Sequence, residues 1–355
     1  MFPLLATDSK SAFRIVKQRR LKIELSGATR QSSNTQTRSL EQHVTSVETV
    51  TLPKDVDLQG RVDALMKGAI DLHIHSGPSV MARKLDHIEA VKQASEAGMS
   101  AILIKDHYYS GAPIVNLMKP HYEQYGVEVY SGVPLNNTAG GLNPYAVDSG
   151  LKLGARLVWM PTSSAANHIR STHRKQRLAT ATPMKKPTAL SVVDPRGELL
   201  DEVKEILDLI AEFDAVLSSG HLHISEIWPL FEEAKARGVN RRLVNHPTYV
   251  IGASRADIAE LTAGGAIVEH SASFYIDCKF KCFTLEDLKA DIDAGGIDGT
   301  TLATDLGQNG NPSPVEGFRT LIEACLTLGY SDEDIRRMIT TNPARLIGQR
   351  PHSNA

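Results

Sequence analysis

The residues best suited to do chemistry stand in Asp71-Leu72-His73-Ile74-His75-Ser76-Gly77, which follows the apolar Gly68-Ala69-Ile70. The stretch reads as a short strand running into a polar turn. Side chains alternate across a strand, which puts Asp71, His73 and His75 on one face and Ile70, Leu72 and Ile74 on the other. Two imidazoles two residues apart at a strand end can grip one metal ion, because neutral imidazole is a common ligand for zinc and related ions. A pair of hydrogen-bonded polar residues would explain a lone His-x-His equally well. The rest of the chain supplies partners of matching type. His221, with His223 two residues on, Asn245-His246-Pro247 and Thr304-Asp305-Leu306-Gly307 each close an apolar run.

Three imidazoles and one carboxylate, from His73, His75, His221 and Asp305, suit a catalytic divalent metal with a position left open for water. Zinc is the first expectation, and the same donors accept manganese, iron or nickel. A metal of this kind lowers the pKa of its bound water to roughly 7. Asp305 can touch the metal and accept that water's proton. His246 can ligate a second ion or polarise a substrate carbonyl. Glu269, beside His270, can orient a ligand histidine or act on substrate protons, and a structural ion pair would also account for it. Arg83 and Lys84 can bind an anionic substrate or form a solvated charge pair. Asn136, Asn137 and Asn143 sit in a Gly-rich stretch; Asn137 is the candidate substrate contact, with turn chemistry as the alternative. His223 and His107 are read as lip residues.

These side chains need a scaffold that gathers strand ends, and the chain beats accordingly. Apolar runs are expected as strands at Ala69–His75, Ser100–Lys105, Val127–Val133, Ala155–Met160, Ala215–His221, Arg242–His246, Ala266–His270 and Thr300–Asp305. Amphipathic runs are expected as helices at Leu58–Met66, Leu85–Ala97, Leu199–Phe213, Ser225–Arg237, Arg255–Ala263, Leu285–Ala294 and Pro314–Leu328. Eight strand–helix beats in series argue for a (β/α)8 barrel, a TIM barrel, whose active site lies at the C-terminal strand ends. An open doubly wound sheet is the alternative, but no Gly-rich phosphate loop follows the first strand. The connection between strands four and five is long. Residues 161–190 carry six Lys/Arg and no acid, with His168 and His173 among them. It can form a lid over an anionic substrate or a mobile loop.

The chain has 355 residues and a formal net charge of −2, so nothing in its global charge points to nucleic acid or a membrane surface. No apolar run is long enough to cross a bilayer. Cys278, Cys282 and Cys325 are too few for a disulfide framework and suit a reducing, cytoplasmic setting. Residues 1–40 carry eight Lys/Arg against two acids. Residues 1–42 are therefore read as a basic disordered leader, with an organelle transit peptide as the alternative. Residues 43–68 are an ordered lead-in, with a strand pattern in Val44, Val47, Val50 and Leu52. Residues 69–348 form the barrel and 349–355 a tail. A homo-oligomer is compatible with this composition.

The motifs resemble the metal-dependent amidohydrolase superfamily. Gly68-Ala69-Ile70-Asp71-Leu72-His73-Ile74-His75 is similar to its first-strand motif, and single histidines on strands five and six and the aspartate on strand eight are similar to its other metal and catalytic positions. Thr340-Thr341-Asn342-Pro343-Ala344-Arg345-Leu346-Ile347-Gly348 resembles its closing segment. The resemblance covers residues 68–348. It implies hydrolysis of an amide, cyclic amide, ester or lactone of a small molecule, or deamination. Some relatives decarboxylate, so a metal-dependent decarboxylase or lyase is the alternative, and a non-catalytic metal-binding barrel the third reading. Two-metal members resemble one another in a bridging carbamylated lysine or glutamate on strand four. Strand four here, Arg156-Leu157-Val158-Trp159-Met160, has neither. Lys105 ends strand two, on one inward face with Leu103 and Ala101, and is the candidate bridge.

Overall fold

The computed structural model describes residues 58–172, 180 and 182–349. The basic leader, the strand pattern of Val44 to Leu52, His173 and the chain beyond residue 349 lie outside the described residues.

Each apolar run becomes a strand because its neighbours on both faces are also apolar. The strands are β1 (Ile70–Ile74), β2 (Ala101–Ile104), β3 (Glu128–Pro134), β4 (Leu157–Trp159), β5 (Val216–Ser218), β6 (Arg241–Asn245), β7 (Ile267–Ser271) and β8 (Thr300–Ala303). All pair parallel in the order β1 to β8. The last seam closes just past β8, where Asp305 N donates to His73 O at 2.7 Å and His75 N to Leu306 O at 2.7 Å. This is the expected (β/α)8 barrel. Several strands are shorter than expected. β5 stops three residues before His221, and β8 ends before Asp305, because the chain turns there to serve the mouth.

The helices α1 (Leu58–Met66), α2 (His87–Glu96), α3 (Ala112–Tyr122), α4 (Pro144–Lys152), α5 (Ala166–Thr172), α6 (Asp201–Glu212), α7 (Ile224–Ala236), α8 (Arg255–Ala263), α9 (Leu285–Gly295), α10 (Pro314–Thr327), α11 (Asp332–Arg336) and α12 (Asn342–Ile347) come in chain order. Caps set many of their starts. Asp86, Ser254, Thr284, Ser313 and Ser331 each accept from the third backbone N–H of the helix they open. Sequence periodicity missed α3, α4 and α5: α3 carries Pro120 inside it, α4 opens on Asn143-Pro144, and α5 is a short helix within the connection read as a lid or mobile loop. Asn143 caps α4 by accepting from Tyr145 N at 3.0 Å, so turn chemistry explains that residue. His223 likewise caps α7.

Two layers of core result. Leu103, Leu157, Trp159, Val216, Leu243 and Ile267 fill the barrel, and Ala344, Leu346 and Ile347 of α12 close its floor. Asn342 ties that helix down, donating to Ile297 O at 2.7 Å and Thr300 O at 2.6 Å. Val133, Val158, Leu217, Val244 and Val268 face outward into the helix layer.

β1 departs from simple alternation. Ile70 and Leu72 belong to the inner cluster, but Ile74 belongs to the outer one. The register with β2 slips between Asp71 and Ile74. An extra residue in one strand reverses the facing of every residue beyond it. The single-face assignment of Ile70, Leu72 and Ile74 is therefore corrected. Asp71 accepts from His73 N at 3.0 Å and from the Thr304 hydroxyl at 2.6 Å, joining β1 to the end of β8.

Candidate metal centre

The bulged end of β1 carries His73 and His75 to the barrel mouth, fully buried. The turn after β8 brings Asp305 to them. Asp305 Oδ1 lies 2.8 Å from His75 Nε2 and 3.2 Å from His73 Nε2. One ligand atom from each of these three residues falls within 4.8 Å of the others. The opposite ring nitrogens are engaged elsewhere. His73 Nδ1 lies 2.7 Å from Glu269 Oε1 on β7, and His75 Nδ1 lies 2.9 Å from Lys105 O at the end of β2. Both acceptors are oxygens without protons to give, so each Nδ1 is the donor and each Nε2 is the atom left to carry a proton or meet a cation.

Backbone strain marks the same residues. Asp305 has φ 50° and His246 φ 32°, a left-handed region that residues other than glycine seldom occupy. Glycine is required at 307, φ 118°, where a Cβ would collide with His75 O. The loop after β8 is thereby pressed against the end of β1.

The electrostatics favour a cation. Burial works against a charged His73, and Lys105 adds to that, but Asp305 and Glu269 outweigh both and raise its pKa to about 9. Burial raises the Asp305 carboxyl, yet His73 and His75 hold it well below the usual range. Burial, then the Arg83 charge, push His75 down to about 3. Lys105 is buried, its Nζ 3.0 Å from His73 Nε2 and 5.6 Å from the Trp159 ring centroid. Burial lowers its pKa from the ordinary lysine value.

The other expected residues spread around this triad. His246 sits across from His73, ring centroids 6.2 Å apart, and its buried Nδ1 has no hydrogen-bond partner among the described residues. Burial lowers it to about 4, which keeps it neutral. His221, expected as the fourth ligand, stands one step further round: its ring is 4.9 Å from that of His246, and its Nδ1 is 2.8 Å from His168 Nδ1. His168 comes from α5, so the long connection contributes to the mouth. Its neighbour Asn167 fastens that helix there, donating to His221 O at 3.1 Å and Val250 O at 2.8 Å. His107 stacks on His75 at 5.3 Å and is buried, not a lip residue.

Glu269 is fully buried and also accepts from Asn245 Nδ2 at 2.9 Å and Ser271 Oγ at 3.0 Å. It orients His73; His270, next to it, has both ring nitrogens buried without partners among the described residues and lies against Tyr275. Arg83 and Lys84 part company. The Lys84 ammonium pairs at the surface with Glu316 at 3.2 Å, whereas the Arg83 side chain is 3% exposed, so the solvated-pair reading fails for it. Asn137 is turned away from the histidines, its Oδ1 accepting from Thr188 N at 2.8 Å. Its neighbour Asn136 is buried instead and donates to His107 O at 2.9 Å. Nothing in the sequence marked Asn136 over Asn137, but His168 carried a signal as an imidazole on a connection rich in basic residues.

No helix of the described residues is long and apolar enough to cross a membrane. Among curated proteins, none matches the chain significantly. Among solved structures, the barrel is similar to one described as the probable dipeptidase PvdM from Pseudomonas aeruginosa, with TM-score 0.58 and 11% identity over 82% of this chain and 98% of that one. It is similar to an amidohydrolase from Pseudomonas aeruginosa, TM-score 0.53 and 14% identity over 82% and 98%. It is also similar to an amidohydrolase from Burkholderia multivorans with bound HEPES, TM-score 0.52 and 10% identity over 79% and 99%. At these identities the likeness is one of fold, a (β/α)8 barrel. Residues 68–269, which run from the first-strand motif to Glu269, match a family model, and the chain belongs to that family, the family of unknown function DUF6282.

Proposed function

We propose that the chain is a metal-dependent hydrolase. It holds a divalent cation, most simply zinc, through His73 Nε2, His75 Nε2 and Asp305, and cleaves an amide, cyclic amide, ester or lactone bond of a small molecule. One observation carries the reading. Both rings are held through Nδ1, by Glu269 and by the Lys105 carbonyl, and both Nε2 atoms turn to one oxygen of Asp305. Partners of this kind on the far nitrogen are what fix the tautomer of a ligating imidazole. The excess of negative charge around His73 fits the donor set to a cation.

A bound cation would act there as a Lewis acid and bring the pKa of a water towards neutrality. The chain's own groups do the rest. Asp305 stays ionised and can take a proton and return it to a leaving group. His246, neutral and with an unpartnered nitrogen, can hydrogen-bond a substrate carbonyl. Glu269 keeps His73 in place. Lys105 borders the triad, and carbamylation would make it an acidic ligand for a second ion shared with His221 and His246.

Metal analysis tests the proposal. Wild-type protein loaded with zinc and desalted is expected to keep about one ion per chain, and the His73→Ala/His75→Ala double variant to keep none. Two ions per chain would bring Lys105 into the ligand set. Product analysis on a panel of small amides, lactones and carboxylic acids is expected to show amine or ring-opened acid; carbon dioxide would replace hydrolysis with decarboxylation. A wild type that takes up no divalent ion, or a double variant that binds as much, overturns the reading.

A further inference from the structure

Arg83 is a charged side chain that the proposed chemistry leaves unused. Its side chain is 3% exposed. Its Nε and Nη1 are buried and have no hydrogen-bond partner among the described residues, and Nη2 reaches Asp106 Oδ2 only at 3.4 Å. Asp106 is itself fixed, accepting from Tyr108 N at 2.8 Å. A buried guanidinium with spare N–H groups is unfavourable unless an acceptor reaches it.

The backbone holds Arg83 close to the proposed centre. Arg83 forms an antiparallel bridge with Gln308, and Lys84 N donates to Gly307 O at 2.9 Å. Gln308 Nε2 donates to Asp305 O at 3.0 Å. The segment after β1 is thus stitched to the turn that carries Asp305. Arg83 Nη2 faces Asp106, which follows Lys105 in the chain, and the Lys105 carbonyl holds His75 Nδ1. Arg83 therefore flanks the triad on the β1–β2 side of the mouth.

We propose that Arg83 is a specificity-determining residue that receives a carboxylate of the substrate, so that the molecule cleaved carries a carboxylate a few bonds from the reacting carbonyl. This rests on the hydrolase reading for the reacting bond but not for the anion contact itself. A fixed guanidinium fork matches a carboxylate, and its preset position lowers the entropy lost on binding. A single negative charge suits it. Asp106 already stands beside the guanidinium, and the Lys105 ammonium lies against the triad, its Nζ 3.0 Å from His73 Nε2. A phosphate dianion would meet more carboxylate than cation.

The test uses full-length protein treated with chelator, so that no metal competes for the probe. Benzoate, its neutral isostere benzamide and inorganic phosphate are titrated by calorimetry. Benzoate is expected to bind saturably and benzamide and phosphate at least tenfold more weakly. Arg83→Met is expected to lose at least tenfold in benzoate affinity and Arg83→Lys less, each keeping the zinc content of the wild type on reloading. Equal binding of benzoate and benzamide, tighter binding of phosphate, or unchanged benzoate affinity in Arg83→Met overturns the proposal. If Arg83→Met does not fold, the benzoate–benzamide difference in wild type decides. Absent zinc uptake with intact benzoate selectivity would overturn the metal reading and leave this one standing.

Discussion

The two ends of the barrel treat their arginines differently. At the floor, Arg241 pairs with Asp214 at 2.7 Å and donates to Leu346 O at 3.2 Å, and Arg242 donates to Val239 O at 2.6 Å and Gly264 O at 2.8 Å. These guanidiniums fasten chain ends, and α12 beneath them seals the apolar interior. At the mouth, Arg83 keeps two nitrogens without partners among the described residues and His246 one. A cavity of about 760 Å³ opens at the floor, lined by Arg241, Arg242 and Arg345, each of which donates to a backbone carbonyl. Arg83, at the mouth, is the arginine with buried donors left without partners among the described residues. Guanidiniums whose donors are met hold chain segments together; a buried guanidinium left open beside a cluster of titratable groups is where another molecule can complete the bonding.

The contrast breaks first if the mouth proves merely structural. Asp305→Asn is expected to cut turnover by roughly 10²–10⁴-fold while the urea midpoint moves little, read by kinetics on whichever substrate the panel yields. At the floor the outcome reverses. Leu346→Ala is expected to lose about 2–4 kcal/mol of stability in urea titrations with zinc affinity unchanged, because it empties a packed interior and touches no donor. Glu269→Gln sharpens the boundary: it keeps the shape but weakens the His73 anchor, and zinc affinity in a competition assay is expected to fall roughly 10–100-fold.

A pH series separates two more regions. His87 on α2, bonded to Ser76 Oγ at 2.6 Å, and His270 behind β7 are both pushed down to about 4, chiefly by burial. The unfolded chain binds their protons from about pH 6.5 downwards, so the stability they confer is complete above that pH. It is lost as pH falls towards 4, by at most about 1.4 kcal/mol per pH unit for each group. Urea midpoints between pH 7.5 and 4.5 check this, and His270→Asn is expected to flatten the slope. The smallest effect belongs to the floor surface. Arg241→Ala is expected to cost about 1 kcal/mol or less, since the Arg241–Asp214 pair is partly open to solvent.

Element existence and order were legible because the strands and most helices carry strong local patterns. Single imidazoles and an aspartate at strand ends were legible as a group because parallel strands deliver their C-terminal ends to one rim. Asn137 and Asn136 were not separable, since a one-residue difference decides which side chain enters the core and which meets Thr188. His221 was read as a fourth ligand and His246 as a ligand of a second ion or a partner of a substrate carbonyl, and only the path of α5, with His168 against His221, shows how the two rings divide the mouth.

The amino-acid sequence alone determined the barrel, the end at which its histidines and Asp305 gather and the residue types found there, because periodicity and strand-end position are local properties. Tertiary structure decided the rest. The slip in β1, the left-handed turns at His246 and Asp305, the bond from Glu269 to His73 and the burial of Arg83 each depend on groups brought together from separate parts of the chain. Contacts at such separations arise from packing of the whole barrel, and no stretch of sequence encodes them by itself.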